Sequence, residues 1–169
     1  ERERVVEQIK PNEVIHAMFA GIGPYPIMAA RKKEPEIVNA VEKNPEAFDY
    51  LQENIKLNKV SDKVKEFQGD VRKIMPEIDQ EADRTIMPLP KTGENFLDLA
   101  FSYTKEGGII HYYDFEREEN LWNKPTSKIK DYAEKNNLKL EVKGKEKCGH
   151  YAPYVHRICL DLKLKKKLP

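Results

Sequence analysis

Two glycines set two apart, Gly21 and Gly23, interrupt an apolar run and precede a proline in VIHAMFAGIGPYPIMAA (14–30). Glycine lets the main chain turn tightly and lets a bound group come close to backbone N–H donors. A helix opening directly after such a turn adds the positive end of its dipole. Two carboxylates follow at a distance, Glu42 in AVEKNP and Asp70 in FQGDVR. One acid of this kind can hold a pair of vicinal hydroxyls through two hydrogen bonds, and a second can accept from an exocyclic amino group. Main-chain donors and two side-chain acceptors would together complement a nucleoside, provided the fold brings them to one place.

The elements that must do so follow from periodicity and breakers. Val5, Val6 and Ile9 recur at helical spacing before Pro11-Asn12. Residues 14–18 read as a short strand buried on both faces, and 24–33 as a helix with Pro24 in its first turn. A second strand over 36–42 leads to a helix over 45–57, with Asn44 as N-cap, Pro45 at the first position, and Phe48, Leu51, Ile55 and Leu57 inward. Strands are expected at 64–70 and 83–90, a helix at 93–104, a strand at 109–115 after a Gly107-Gly108 turn, and a helix at 125–136. The segments 138–147 and 155–164 form a closing antiparallel hairpin, with the basic tail as the end of the last strand. Alternating strands and helices call for an α/β fold with a mostly parallel sheet and helices on both faces. The added hairpin makes that the Rossmann-like class I methyltransferase arrangement of seven strands. In such sheets ligands lie beyond the carboxyl ends of the strands, beside the first strand.

Gly21, Glu42 and Asp70 all fall at those strand ends. The pattern FAGIG lacks the third glycine of the dinucleotide fingerprint. Three strand ends, one glycine turn and two acids therefore suit an adenosine without a pyrophosphate, which S-adenosylmethionine presents. The competing reading is a turn that merely joins strand to helix, with both acids as solvated caps.

Composition bounds the rest. The chain has 169 residues, 39% hydrophobic and 35% charged, enough for one core-bearing domain. Its net charge of +1 excludes a global electrostatic case for nucleic acid and leaves only local patches. Cys148 and Cys159 are too few for a disulfide framework and read as reduced thiols of a cytoplasmic protein. No apolar run approaches a membrane span of about 20 residues, and no signal peptide is evident. ERERVVEQIK at the start reads as a chain beginning inside a helix, with an N-terminal part missing.

MFAGIGPYPI, EKNPEAFDYLQENIKLNKV, FQGDVR, ADRTIMPLP, GGIIHYYDF and YAPYVHRICLDL occur in one order along the chain. In that order the sequence resembles, over nearly its whole length, the archaeal-type tRNA guanine-N1 methyltransferases, which modify guanine 37 just 3′ of the anticodon. The resemblance implies a single S-adenosylmethionine-dependent catalytic domain over 1–169, with the family's N-terminal tRNA-recognition part outside this chain. It implies that Gly21 and Gly23 line the methionine end of the cofactor, with Met18, Phe19 and Ala20 as the wall beside them. Glu42, followed by Lys43, would hold the ribose; Asp70, followed by Val71, would hold the adenine end; S-adenosylhomocysteine would be the product. The glutamate of a Glu-Arg pair, aligned with Glu1-Arg2 and nearly as well with Glu3-Arg4, would be the base that removes the guanine N1 proton. Pro88, Leu89 and Pro90 would meet the target base. The implied partner is tRNA, bound weakly by this near-neutral chain, with no membrane, no metal and a monomeric state. A sister family transfers an aminocarboxypropyl group from the same cofactor in wybutosine synthesis, and Leu89-Pro90 looks more like the methyl-transferring branch.

Two positions depart from that pattern. The family usually has Asp where Ala17 stands, here preceded by His16, and many members have Asn where Pro88 stands. A lost acceptor at 17 would cost ~1–3 kcal/mol of cofactor binding. This opens a rival reading, a non-catalytic or altered scaffold of the same fold with a reshaped pocket. Other chemistry-bearing residues are read as structural. His111, Tyr112 and Tyr113 are assigned to core packing, Trp122 to anchoring a loop, and Arg72, Lys73 and Lys91 to ordinary surface charge. Cys148-Gly-His150 and His156…Cys159 match no usual metal-ligand spacing.

Overall fold

A computed structural model describes residues 1–167. Its sheet has seven strands, mostly parallel with an antiparallel C-terminal portion, as the sequence predicts, and their order is β3-β2-β1-β4-β5-β7-β6. The chain divides into two compact units, Glu1–Ile86 and Met87–Pro169.

The first unit holds α1 (Arg2–Glu7), β1 (Val14–Met18), α2 (Pro24–Lys33), β2 (Ile37–Glu42), α3 (Pro45–Leu57), β3 (Val64–Gln68) and α4 (Val71–Ile78), and contains nearly all of β4 (Ala82–Met87). β1 lies between β2 and β4 and runs parallel to both. All five of its residues are buried, which is why it reads as a continuous apolar run rather than an alternating one. The exception in composition, His16, is satisfied: its Nε2 donates to the Gln80 carbonyl at 2.7 Å. Burial pushes the His16 pKa below its ordinary value, so the ring is neutral. Toward the same amino-terminal ends of β1 and β4, Arg84 is buried against Glu13 with Nε–Oε2 at 2.8 Å.

Asn44 caps α3, accepting from the Glu46 and Ala47 N–H groups, and Phe48, Leu51 and Ile55 are buried. Leu57 instead points to solvent, 77% exposed; two positions beyond Ile55 it lies ~200° around the helix from the buried face. A helix that the sequence reading did not contain, α4, follows Asp70. Val71, Ile74, Met75 and Ile78 face inward at i, i+3, i+4 and i+7 while Arg72, Lys73, Pro76 and Glu77 are exposed. The internal Pro76 hides this pattern, since proline normally marks a helix end.

The second unit holds a 3-10 turn (Gly93–Phe96), α5 (Leu97–Ser102), β5 (Thr104–Arg117), a second 3-10 turn (Glu118–Asn120), α6 (Asn123–Lys135), β6 (Leu138–Ala152) and β7 (Val155–Lys167). Strand four ends at Met87, not at 90, because Pro88 and Pro90 cannot donate to a ladder. β5 begins at Thr104 and carries Gly107-Gly108 inside the strand rather than before it. β7 pairs antiparallel with β5 on one side and β6 on the other. β6 is the outermost strand, with register shifts at four places along its length. The expectation for the tail falls partly on Leu168 and Pro169, outside the described residues. Lys128 on α6 ties the unit together, reaching Glu94 Oε2 at 2.8 Å and Asp114 Oδ2 at 2.9 Å. The Tyr112 hydroxyl donates to the same Asp114 oxygen, and its own ionisation is pushed well above the usual range by burial and that carboxylate.

Candidate functional site

In the first unit the tips of β1, β2 and β3 converge. The Glu42 carboxylate accepts the Gly21 N–H at Oε2 and the Asn44 N–H at Oε1, each at 2.7 Å. Main-chain bonds complete the junction: the Ala20 N–H reaches the Val41 carbonyl, and the Gly69 N–H reaches the Glu42 carbonyl, both at 2.9 Å. Lys43 Nζ donates to Asp70 Oδ2 at 3.0 Å, so the ends of β2 and β3 are also joined by side chains. Asp70 caps α4 with its other oxygen, accepting the Arg72 N–H at 3.0 Å. The backbone N–H of Arg72, then the Lys43 ammonium, hold the Asp70 carboxyl below its ordinary pKa. The solvated-cap reading is thus right about what Asp70 does locally. It does not account for Glu42, whose oxygens hold the glycine turn itself.

The turn is built for close approach. Phe19, Gly21 and Gly23 all have positive φ, of 63°, 57° and 92°, and a bulky residue such as Phe19 rarely adopts that conformation. A Cβ on Gly21 would meet no atom within 4 Å, so one side of this residue faces open space. Gly23 is the opposite case: a Cβ there would lie 2.5 Å from Leu51 Cδ1. One glycine leaves room for a ligand and the other lets α3 pack against the turn. Asn54, which the sequence reading did not single out, braces the turn by donating to the Ile22 carbonyl at 3.0 Å. Met18 and Ala20 are buried beside it, and Val71 is the first, buried, residue of α4. Ala17 is buried within β1, in register with Ala40 on β2 and Ile86 on β4.

The two glutamates of ERER are not equivalent. Glu1 is 7% exposed and receives two hydrogen bonds from the Arg4 guanidinium, each 2.8 Å. Glu3 is 70% exposed and pairs with Lys32 on α2. Arg2 is exposed. The two glutamates thus differ in burial, and Arg4 is the partner that orients the Glu1 carboxylate. Pro88, Leu89 and Pro90 belong to the second unit and are half-buried there, with the Leu89 N–H turned back onto the Met87 carbonyl at 2.8 Å.

His111 is buried with Nδ1 at 2.7 Å from Asp161 Oδ1, in keeping with the core role assigned to it. With Cys159 these residues form a buried His–Cys–Asp group whose donor atoms lie within 4.8 Å of one another, a cluster that the sequence reading did not assemble. It spans β5 and β7, whose pairing was legible, but at a register that was not. No described helix is long and apolar enough to cross a membrane.

A family model described as the TRM5/TYW2 methyltransferase domain matches residues 1–142. The tRNA (guanine(37)-N(1))-methyltransferase Trm5b of Pyrococcus abyssi is 43% identical over 164 residues, covering 97% of this chain and 48% of that protein. The tRNA(Phe) (4-demethylwyosine(37)-C(7)) aminocarboxypropyltransferase of Methanocaldococcus jannaschii is 39% identical over 166 residues, covering 98% of this chain and 66% of that protein. Among solved structures, M. jannaschii TYW2 in complex with AdoMet matches with a TM-score of 0.88 at 38% identity, covering 98% of this chain and 74% of that one. The chain spans about half the length of the first relative and about two thirds of the second.

Proposed function

The chain belongs to the TRM5/TYW2 methyltransferase domain family, and from that premise we propose that it is the catalytic domain of a tRNA (guanine-37 N1) methyltransferase using S-adenosylmethionine. The observation that carries this reading is Glu42, whose two oxygens hold the Gly21 and Asn44 N–H groups beside an open glycine. That set of donors and acceptors fits a nucleoside: Glu42 for the ribose hydroxyls, Asp70 and Val71 at the base, and Gly21 and Gly23 at the amino-acid end. When bound, the cofactor supplies an electrophilic methyl group. The chain supplies position and one base. Glu1, oriented by Arg4, takes the N1 proton of the guanine, and Pro88, Leu89 and Pro90 shape the place where the base sits. A single proton acceptor suffices because N1 of neutral guanine still carries its hydrogen when the ring nitrogen begins to attack.

The same reading includes a monomeric cytoplasmic protein, one domain over 1–169, and weak tRNA binding, since a net charge of +1 provides few phosphate contacts. Isothermal titration with S-adenosylhomocysteine, run beside methylation of an unmodified tRNA transcript, tests it. Absence of both binding at millimolar ligand and N1-methylguanosine in the product would end the proposal. Aminocarboxypropyl transfer is the second reading, favoured by the likeness to TYW2, and the mass of the modified nucleoside separates the two. The scaffold reading rests on Ala17. If Ala17→Asp raises cofactor affinity by tenfold or more, the pocket is a disabled one; no change would favour a site that never depended on that carboxylate.

A further inference from the structure

The hairpin that closes the sheet presents aromatic surface where a soluble protein would ordinarily place polar side chains. β7 is antiparallel to both β5 and β6, so these two run the same way. Their last residues, Arg117 and Ala152, both pair with Val155 at one edge. That edge is the carboxyl-end side of β5, the side on which open α/β sheets bind ligands. Tyr151 and Tyr154 stand there 63% and 71% exposed. Tyr151 stacks on Phe115 of β5 with ring centroids 4.1 Å apart and planes 27° from parallel, so its ring is held in place rather than swinging free.

The turn between the strands is Pro153-Tyr154, and Tyr154 has φ of 60°. A proline followed by a positive-φ residue is the pattern of a type II turn, whose second place normally takes glycine. A tyrosine there adopts a backbone conformation that L-residues avoid and buries little in return. Its conformation is fixed from below, since the Glu118 N–H donates to the Tyr154 carbonyl at 3.0 Å. Buried His156 holds the Glu118 carboxylate at 2.8 Å.

The flanking charge is of one dominant sign. Between 143 and 157 stand Lys143, Lys145, Lys147 and Arg157 against a single acid, Glu146. Lys147 is drawn to Glu118 at 3.6 Å and Lys143 to Glu141 at 3.1 Å. Lys145 and Arg157 make no ion pair among the described residues; Arg157 is fixed by the Cys148 carbonyl at 3.3 Å. An exposed ring held by stacking, a second exposed ring on the adjoining turn, and a guanidinium paired with no carboxylate among the described residues are what unpaired nucleotides need: faces to stack on and a charge for the phosphates.

We propose that Tyr151 and Tyr154, with Arg157 on the face where Tyr151 stacks on Phe115, form a stacking platform for unpaired nucleotides of the RNA substrate, none of them among the residues assigned to the cofactor. The inference rests on the tRNA reading above for the source of those nucleotides.

The test is fluorescence titration of the chain with a labelled anticodon stem-loop, and with the same strand fully paired, at low salt. Each S-adenosylhomocysteine affinity is measured separately. Tyr151→Ala and Tyr154→Ala are each expected to weaken stem-loop binding about tenfold. Tyr154→Trp should hold it within about twofold, and cofactor affinity should be unchanged in all three. Arg157→Ala should flatten the salt dependence, which the tyrosine variants leave alone, whereas Lys145→Ala, on the opposite face of the sheet, should change it less. The proposal is overturned if the wild-type chain binds no stem-loop, binds the duplex as tightly, or is indifferent to both alanine variants. It is equally overturned if those variants change only self-association, which would make the rings a protein contact. Loss of cofactor binding with stem-loop binding intact would instead remove the proposed reaction and leave the platform standing.

Discussion

Glu42 Oε2 lies 2.7 Å from the Gly21 nitrogen, joining the end of the second strand to the turn after the first across 21 residues of sequence. Because the other oxygen holds the Asn44 N–H, one carboxylate fixes both the glycine turn and the start of α3. Glu42→Ala removes two charge-assisted bonds and is expected to lower S-adenosylhomocysteine affinity by tenfold or more. Glu42→Gln keeps one acceptor and should fall between. Calorimetric titration measures both, and an alanine variant that binds like wild type would contradict the assignment.

The two glycines of the turn are expected to fail differently. Gly23→Ala forces a methyl to 2.5 Å from Leu51 and into a φ of 92°, so it should cost about 2 kcal/mol or more of stability. Gly21→Ala meets no atom within 4 Å and should cost only about 1 kcal/mol from its positive φ, while weakening the ligand. Thermal melts and cofactor titrations of the pair should therefore rank them in opposite orders.

Glu1→Gln should reduce the methylation rate by about 100-fold or more if Glu1 is the base, and Arg4→Ala should reduce it less by leaving the carboxylate unoriented. Glu3→Gln, at an exposed pair with Lys32, should stay within about twofold of wild type. Single-turnover rates on an unmodified transcript distinguish these outcomes.

His16 sets an acid limit. Its folded pKa lies below the ordinary 6.5 because burial disfavours the imidazolium. Between those two pH values the unfolded chain carries a proton that the folded chain lacks. The contribution of His16 is therefore whole above pH 6.5 and declines as the pH falls toward the folded value. Urea unfolding at a series of pH values should show that decline, and His16→Gln, which retains a donor for the Gln80 carbonyl, should flatten it.

What the sequence made legible was local or topological. The glycine turn, the acids at strand ends and the cap at Asn44 each announce themselves within a few residues, and the mostly parallel sheet follows from alternation. α4 was lost for a specific reason: Pro76 interrupts a face of Val71, Ile74, Met75 and Ile78 that is otherwise plain. Leu57 was drawn inward by its type, against the angle set by its position. The difference in burial between Glu1 and Glu3, the brace from Asn54 to the turn, and the grip of Lys128 on Glu94 and Asp114 depend on distances between residues remote in sequence or on burial. Periodicity is blind to both.

An outermost strand of 15 residues offers a long row of unpaired amides and carbonyls to any neighbour that can extend the sheet. β6 meets such a neighbour with broken register in four places and with lysines at 139, 143, 145 and 147. A second copy would have to match every kink and bring like charges together. Concentrated solutions of this chain should accordingly resist edge-to-edge fibril growth.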